Sequence, residues 1–117
     1  MERIIVRAMK AARPERYFIS SFLPSVVRTL HELDRSLVLG ALAQTRWQLR
    51  RWRLLPVEYV VPHFRLLSPR LIEKLHAAGK RVVTWTVNDP RQMKRVAEMG
   101  VDGIISDDTR LLVKTLG

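Results

Sequence analysis

The sequence predicts an α/β fold of about five βα units around a parallel sheet, and three observations carry that reading. Strand-like runs begin near positions 17, 37, 57, 81 and 103, about 20 to 24 residues apart. Helical patterns fill every gap between them, the alternation expected of repeated βα units. The stretch GKRVVTWTVNDPRQMKRVAEMGVDGIISD, Gly79 to Asp107, reads by itself as strand, helix, strand. Two architectures share this rhythm: an open doubly wound sheet, or part of a (β/α)₈ barrel. A closed barrel takes roughly 200 residues or more, so five units in 117 residues are too few to close one.

Taken in order, MERIIVRAMKAA (1–12) is expected to be helical, with Ile4, Ile5, Ala8 and Met9 on one face and Pro14 ending it. Tyr17 to Phe22 (YFISSF) reads as a strand, and Leu23-Pro24-Ser25 opens a helix with Val26, Val27, Leu30 and Leu33 on one side. Ser36 to Ala41 (SLVLGA) is a continuous apolar run of the kind buried on both faces. Gln44 to Arg53 is expected to be helical without being cleanly amphipathic, and Val57 to Pro62 is the next strand. Ser68 can cap a helix that begins at Pro69, buries Leu71, Ile72, Leu75 and Ala78, and stops at Gly79. The strand Arg81 to Val87 follows. Asp89 is placed to cap the next helix and Pro90 to occupy its first position, where a missing N–H costs nothing. Met93, Val96 and Ala97 have helical spacing, and Gly100 suits a left-handed helix end. Gly103 to Ser106 is the last strand and Thr109 to Leu116 the last helix.

The totals bound the function. Apolar residues make up 47% of the chain, which is not a disordered composition. There is no cysteine, which excludes disulfides, thiolate metal sites and cysteine nucleophiles. The longest apolar run, Leu37 to Ala43, is far short of the roughly 20 residues that span a bilayer. The N-terminus lacks the basic-then-apolar order of a signal peptide, so the expected location is cytoplasmic. Lysine plus arginine is 21 and aspartate plus glutamate 11, a net charge of +10 that is mostly arginine. Such a balance suits nucleic acid or anionic lipid. The arginines are spread along the chain, however, as they would be on ordinary helix surfaces.

Neither GxxxxGK[ST] nor GxGxxG occurs, and HExxH and GxSxG are absent too. His31 and His76 lie in helical patterns beside charged residues and read as solvated. His63 follows a strand, at the end where α/β barrels place ligands, beside Phe64. Asp107-Asp108 is the one adjacent carboxylate pair after a strand, and one of the two is expected to cap the last helix. Asp102 sits in a turn at the opposite end, and Glu58 lies inside a strand. RWQLRRWR (Arg46 to Arg53) joins two tryptophans to four arginines. It suits a membrane interface or stacked bases. The competing reading packs Trp47 and Trp52 on the sheet with the arginines solvated.

The Gly79–Asp107 stretch closely resembles the C-terminal end of the glycerophosphodiester phosphodiesterases. Their last two barrel strands carry a Trp-Thr-Val-Asn element and a Gly-Val-Asp-Gly-Ile-Ile-(Thr/Ser)-Asp element. Here these are Trp85-Thr86-Val87-Asn88 and Gly100 to Asp107, in order and at the right separation. Ser21-Phe22 resembles the family's strand ending in Ser-Phe, and the likeness extends over the whole chain, 1–117. One departure is Asp108-Thr109, where the family usually has a proline soon after the final aspartate.

The resemblance implies a partial TIM (β/α)₈ barrel of about five parallel βα units, similar to strands four to eight, of the PLC-like phosphodiesterase type. It implies a phosphoric diester hydrolase of glycerophospholipid metabolism that yields an alcohol and glycerol 3-phosphate with Mg²⁺ or Ca²⁺. The family keeps a His-Arg-Gly, a Glu-x-Asp, a second histidine shortly after and a Glu-x-Lys on its first three strands; here no His-Arg-Gly occurs and no Glu-x-Asp is followed by His-Asp. This chain is therefore expected to hold no catalytic residue and no metal ligand of its own. By resemblance Trp85 lines the substrate pocket, with Phe22, Ser21, His63 and Asn88 on the same rim. The expected partner is a small glycerophosphodiester in the complete barrel, together with a missing N-terminal half or further copies of the chain. Nucleic acid is not expected, and no transmembrane segment is. Two rivals remain: a non-catalytic half-barrel module, and an arginine-rich binder of anionic surfaces centred on Arg46 to Arg53.

Overall fold

A computed structural model describes residues 5–8 and 17–116. Six strands form one sheet in sequence order: β1 (Ile5–Ala8), β2 (Tyr17–Ser21), β3 (Leu39–Ala43), β4 (Tyr59–Pro62), β5 (Arg81–Thr84) and β6 (Gly103–Ile104). Strands β2 to β6 run parallel, each paired with the next. The connections carry α1 (Pro24–Leu33), α2 (Arg46–Leu49), α3 (Pro69–Ala77) and α4 (Pro90–Glu98), and α5 (Thr109–Leu116) follows β6. The predicted five-strand parallel α/β architecture is what forms. Among the described residues no helix is long and apolar enough to cross a membrane.

The first segment departs from expectation. Part of the predicted helix over 1–12 is β1, paired antiparallel with β2 through Ile5↔Ser20 to Ala8↔Tyr17. Positions 1–4 and 9–12 of that prediction lie outside the described residues. Two β-branched residues, Ile5 and Val6, favour an extended backbone. The open edge of β2 supplies the ladder partners that a short apolar run cannot announce from its own period.

Other boundaries shift for local reasons. The third strand begins at Leu39 rather than Ser36, because Asp34 Oδ1 accepts from the Ser36 amide at 2.9 Å and its hydroxyl at 2.6 Å, holding 34–36 in a turn. The expected helix 44–53 divides. Thr45 and Gln48 form a reciprocal capping box at the start of α2, and the chain tightens into a 3-10 turn over Arg50–Leu54. Leu33 and Ala78, expected on buried faces, are exposed. The caps land where the sequence puts them: Ser68 Oγ accepts from the Leu71 amide and Asp89 Oδ1 from the Arg91 amide. Gly100 ends α4 at φ +98°, a conformation a side chain rarely tolerates.

The sheet has an apolar layer on each face. On the helix side, Val60, Val82, Ile72 and Leu75 pack with Trp52, and Val87, Met93, Val96, Ile104 and Leu112 form a further cluster. On the concave side, Leu42, Tyr59, Val61 and Val83 are buried together, with Phe22, Trp85 and Ile105 against them. That second layer is what a barrel interior requires, since alternate residues of each strand point inward.

Candidate functional site

The concave layer ends at the carboxyl ends of the strands in three aromatic side chains. Phe22 follows β2, His63 follows β4 and Trp85 follows β5. The Phe22 and Trp85 rings meet edge to face with centroids 5.7 Å apart, and His63 meets Trp85 at 5.1 Å in the same geometry. His63 also stacks on Phe64 at 4.5 Å. Backbone pairing explains the convergence, because His63 and Trp85 form a parallel bridge that prolongs the β4–β5 ladder. The Phe64 amide donates to the Trp85 carbonyl at 3.2 Å, and the Trp85 indole N–H donates to the Val61 carbonyl at 2.9 Å. The indole is thereby fixed in plane, half-buried, with one side toward the concave face.

His63 has a defined protonation geometry. Its Nδ1 accepts from the Arg65 amide at 3.1 Å, so the ring proton of the neutral form sits on Nε2. Burial, and secondarily the Arg65 charge, hold its pKa below the ordinary 6.5, favouring the same neutral form. The rim therefore presents apolar ring faces and one neutral N–H donor.

Asn88 lies beyond Trp85 in the same loop and ties it to the end of β6. Its Oδ1 accepts from the Ser106 hydroxyl at 3.0 Å and the Asp107 amide at 2.9 Å. Its Nδ2 donates to Asp107 Oδ2 at 3.0 Å. Ser21 differs from the other rim residues. It pairs in register with Ala41, whose side chain packs on the helix side, and its Oγ accepts from the Leu23 amide at 3.0 Å in the turn into α1. Phe22, His63 and Trp85 are thus brought together, Asn88 anchors the neighbouring loop, and Ser21 lies on the other face of the sheet.

Two of the other carboxylates have structural partners, while Glu58, expected inside a strand, is exposed one residue before β4. Asp108 Oδ1 accepts from the Leu111 amide and caps α5, as expected of one member of the pair. Asp102 Oδ2 accepts from the Val82 amide at 2.7 Å and faces His76 Nε2 at 2.8 Å. This makes His76 a paired side chain rather than a merely solvated one, a contact between residues 26 positions apart that no local pattern signals. Ser106 was likewise missed; its signal was a hydroxyl at a strand end within the second family motif. Among the described residues no three histidine, aspartate or glutamate side chains come together to hold a metal ion. The donor set among the described residues does not fit a divalent cation.

In RWQLRRWR each tryptophan takes a different course. Trp52 is buried against Val60 and Ile72, whereas Trp47 is 67% exposed with the Arg51 guanidinium over its ring at 5.9 Å.

Parallel strands in unbroken sequence order, without the reversal of a doubly wound sheet, and ring side chains at their carboxyl ends are the architecture of part of a (β/α)₈ barrel. The sequence profile of the Glycerophosphoryl diester phosphodiesterase family matches residues 1–111, and the chain belongs to that family. It is 29% identical over 117 residues to the glycerophosphodiester phosphodiesterase of Caldanaerobacter subterraneus, covering 97% of this chain and 48% of the relative. An Oleispira antarctica phosphodiesterase, solved with the product sn-glycerol-3-phosphate, superposes at a TM-score of 0.74 and 21% identity. That match covers 83% of this chain and 40% of the other. A glycerophosphodiester phosphodiesterase from Parabacteroides distasonis gives 0.68 at 23% identity, over 81% and 40%. The structural likenesses establish the barrel fold. The chain spans about half the length of the Caldanaerobacter relative.

Proposed function

We propose that this chain supplies the C-terminal half of a glycerophosphodiester phosphodiesterase barrel, including one wall of the substrate pocket, and that by itself it hydrolyses nothing. The observation that carries the reading is the Phe22–His63–Trp85 cluster at the strand ends, within a chain that belongs to the family. In the complete barrel the ring faces would pack against the carbon face of the glycerol unit, and His63 Nε2–H would donate to a substrate oxygen. The metal, Mg²⁺ or Ca²⁺, would be held by residues of the first three strands and would neutralise phosphoryl charge there. The proton-transfer groups would come from the same strands. On this proposal the chain would act in glycerophospholipid breakdown, and its open barrel edge would pair with an N-terminal half or with another copy.

The test is reconstitution. The N-terminal half of the Caldanaerobacter relative is mixed with this chain, and glycerol 3-phosphate release from glycerophosphocholine is followed with Mg²⁺ or Ca²⁺. Restored turnover that falls about tenfold with Trp85→Ala supports the pocket-wall assignment. Restored turnover indifferent to Trp85→Ala, Phe22→Ala and His63→Ala overturns it.

A further inference from the structure

A second concavity lies outside the barrel, where the segment after β4 meets α4. It has a volume of about 350 Å³, within the range of small-ligand sites. Phe64, Leu67 and Met99 give it apolar lining between polar walls, over the buried Val96. Arg65 and Arg95 line the same space, each from a different element. Residues 92, 95, 96 and 99 fall on one face of α4, so the helix presents its guanidinium and its apolar side chains to the groove together.

Among the described residues the one ion pair is His76–Asp102, and neither Arg65 nor Arg95 has a carboxylate partner. Arg65 lies over the Phe64 ring at 6.0 Å. Two guanidiniums beside the side chains of Phe64, Leu67 and Met99 suit a dianionic head on a short apolar tail. A phosphate monoester presents oxygens to both forks and carries the second charge that a carboxylate lacks. The thioether of Met99 and the ring of Phe64 would accommodate tails of different shape.

We infer that the groove between the β4–α3 segment and α4 binds an alkyl or acyl phosphate monoester, through Arg65 and Arg95 at the head and Phe64 and Met99 along the tail. Every residue of the groove belongs to this chain, so the site does not depend on the other half of the barrel. It is separate from the glycerol-facing rim, from which Phe64 divides it.

The probe is n-octyl phosphate, titrated into the 117-residue chain and followed by amide chemical shifts and by calorimetry. Saturable binding is expected, with shifts clustered at Arg65, Gln92, Arg95 and Met99. Inorganic phosphate and n-octanol should each bind at least about tenfold more weakly, because each has only half of the recognised chemistry. The double variant R65Q/R95Q should lose about tenfold or more in affinity with unchanged circular dichroism, and R110Q on α5 should retain it. Binding unaffected by R65Q/R95Q, equal loss with R110Q, or shifts centred on the Trp85 indole N–H would each overturn the assignment.

Discussion

The two ends of the parallel strands are built differently. At the amino ends, backbone and side chains close on one another. The Asp102 amide donates to the Val82 carbonyl at 2.7 Å, its carboxylate takes the Val82 amide and His76, and Lys80 Nζ donates to the Val57 carbonyl at 2.7 Å. At the carboxyl ends, aromatic rings meet edge to face and leave ring faces toward the concave side. One end is a fastening and the other a surface. The contrast agrees with the general rule that barrels keep stability at one end and ligands at the other. It also means that the largest single loss of stability should fall at the amino ends, at Asp102, rather than at the ring cluster of the carboxyl ends.

The largest stability effect is expected from Asp102→Ala. It leaves the Val82 N–H without its partner and removes the tie between α3 and the α4–β6 turn. A loss of about 3 kcal/mol is expected in urea unfolding, with an unchanged m-value. His76→Ala removes only the half-exposed partner and should cost less than about 1 kcal/mol. Equal losses for the two would show that the histidine, not the Val82 amide, is what Asp102 secures.

Trp85→Ala at the other end should cost about 2 kcal/mol, less than for a fully buried tryptophan, because one side of the ring is not packed. Asn88→Ala should cost about 1 kcal/mol through its lost bonds to Ser106 and Asp107. Trp47→Ala, although it removes an equally large ring, should change stability by no more than about 0.5 kcal/mol, since that side chain is largely exposed. A Trp47 loss matching that of Trp85 would mean that exposure has been misjudged as a guide to packing in the α2 segment.

The smallest effect is the pH response of His63. Its folded pKa lies below 6.5, so the unfolded chain binds more protons than the folded chain in that region. The favourable contribution is present above about pH 6.5 and is lost as pH falls through the lowered folded value. The stability difference between the wild type and His63→Gln should therefore shrink on acidification from pH 7. A difference that grows instead would mean that the folded imidazolium finds an acceptor.

Legibility in the sequence followed the range of the interactions. The Gly79–Asp107 unit could be read almost completely, because Asp89, Pro90 and Gly100 act within a turn or two of themselves. Ser68 was equally local. The strand at Ile5–Ala8 could not be read, since only pairing with β2 distinguishes that apolar run from a helix. The fate of RWQLRRWR was half legible: Trp52 became core and Trp47 did not, because the chain narrows to a 3-10 turn between them. At the rim, strand-end position and family likeness pointed to Trp85, Phe22 and His63, and the structure groups them. The same logic placed Ser21 among them, although the alternation of a strand puts successive residues on opposite faces. The His76–Asp102 contact was invisible because it joins one helix to a turn in the next unit.

The most direct test of the half-barrel account is the activity of this chain alone. The purified chain is incubated with glycerophosphocholine and Mg²⁺ or Ca²⁺, and glycerol 3-phosphate is measured enzymatically against a protein-free blank. Release at the blank rate with either metal is expected. Metal-dependent release above that blank, abolished by a chelator, would contradict it.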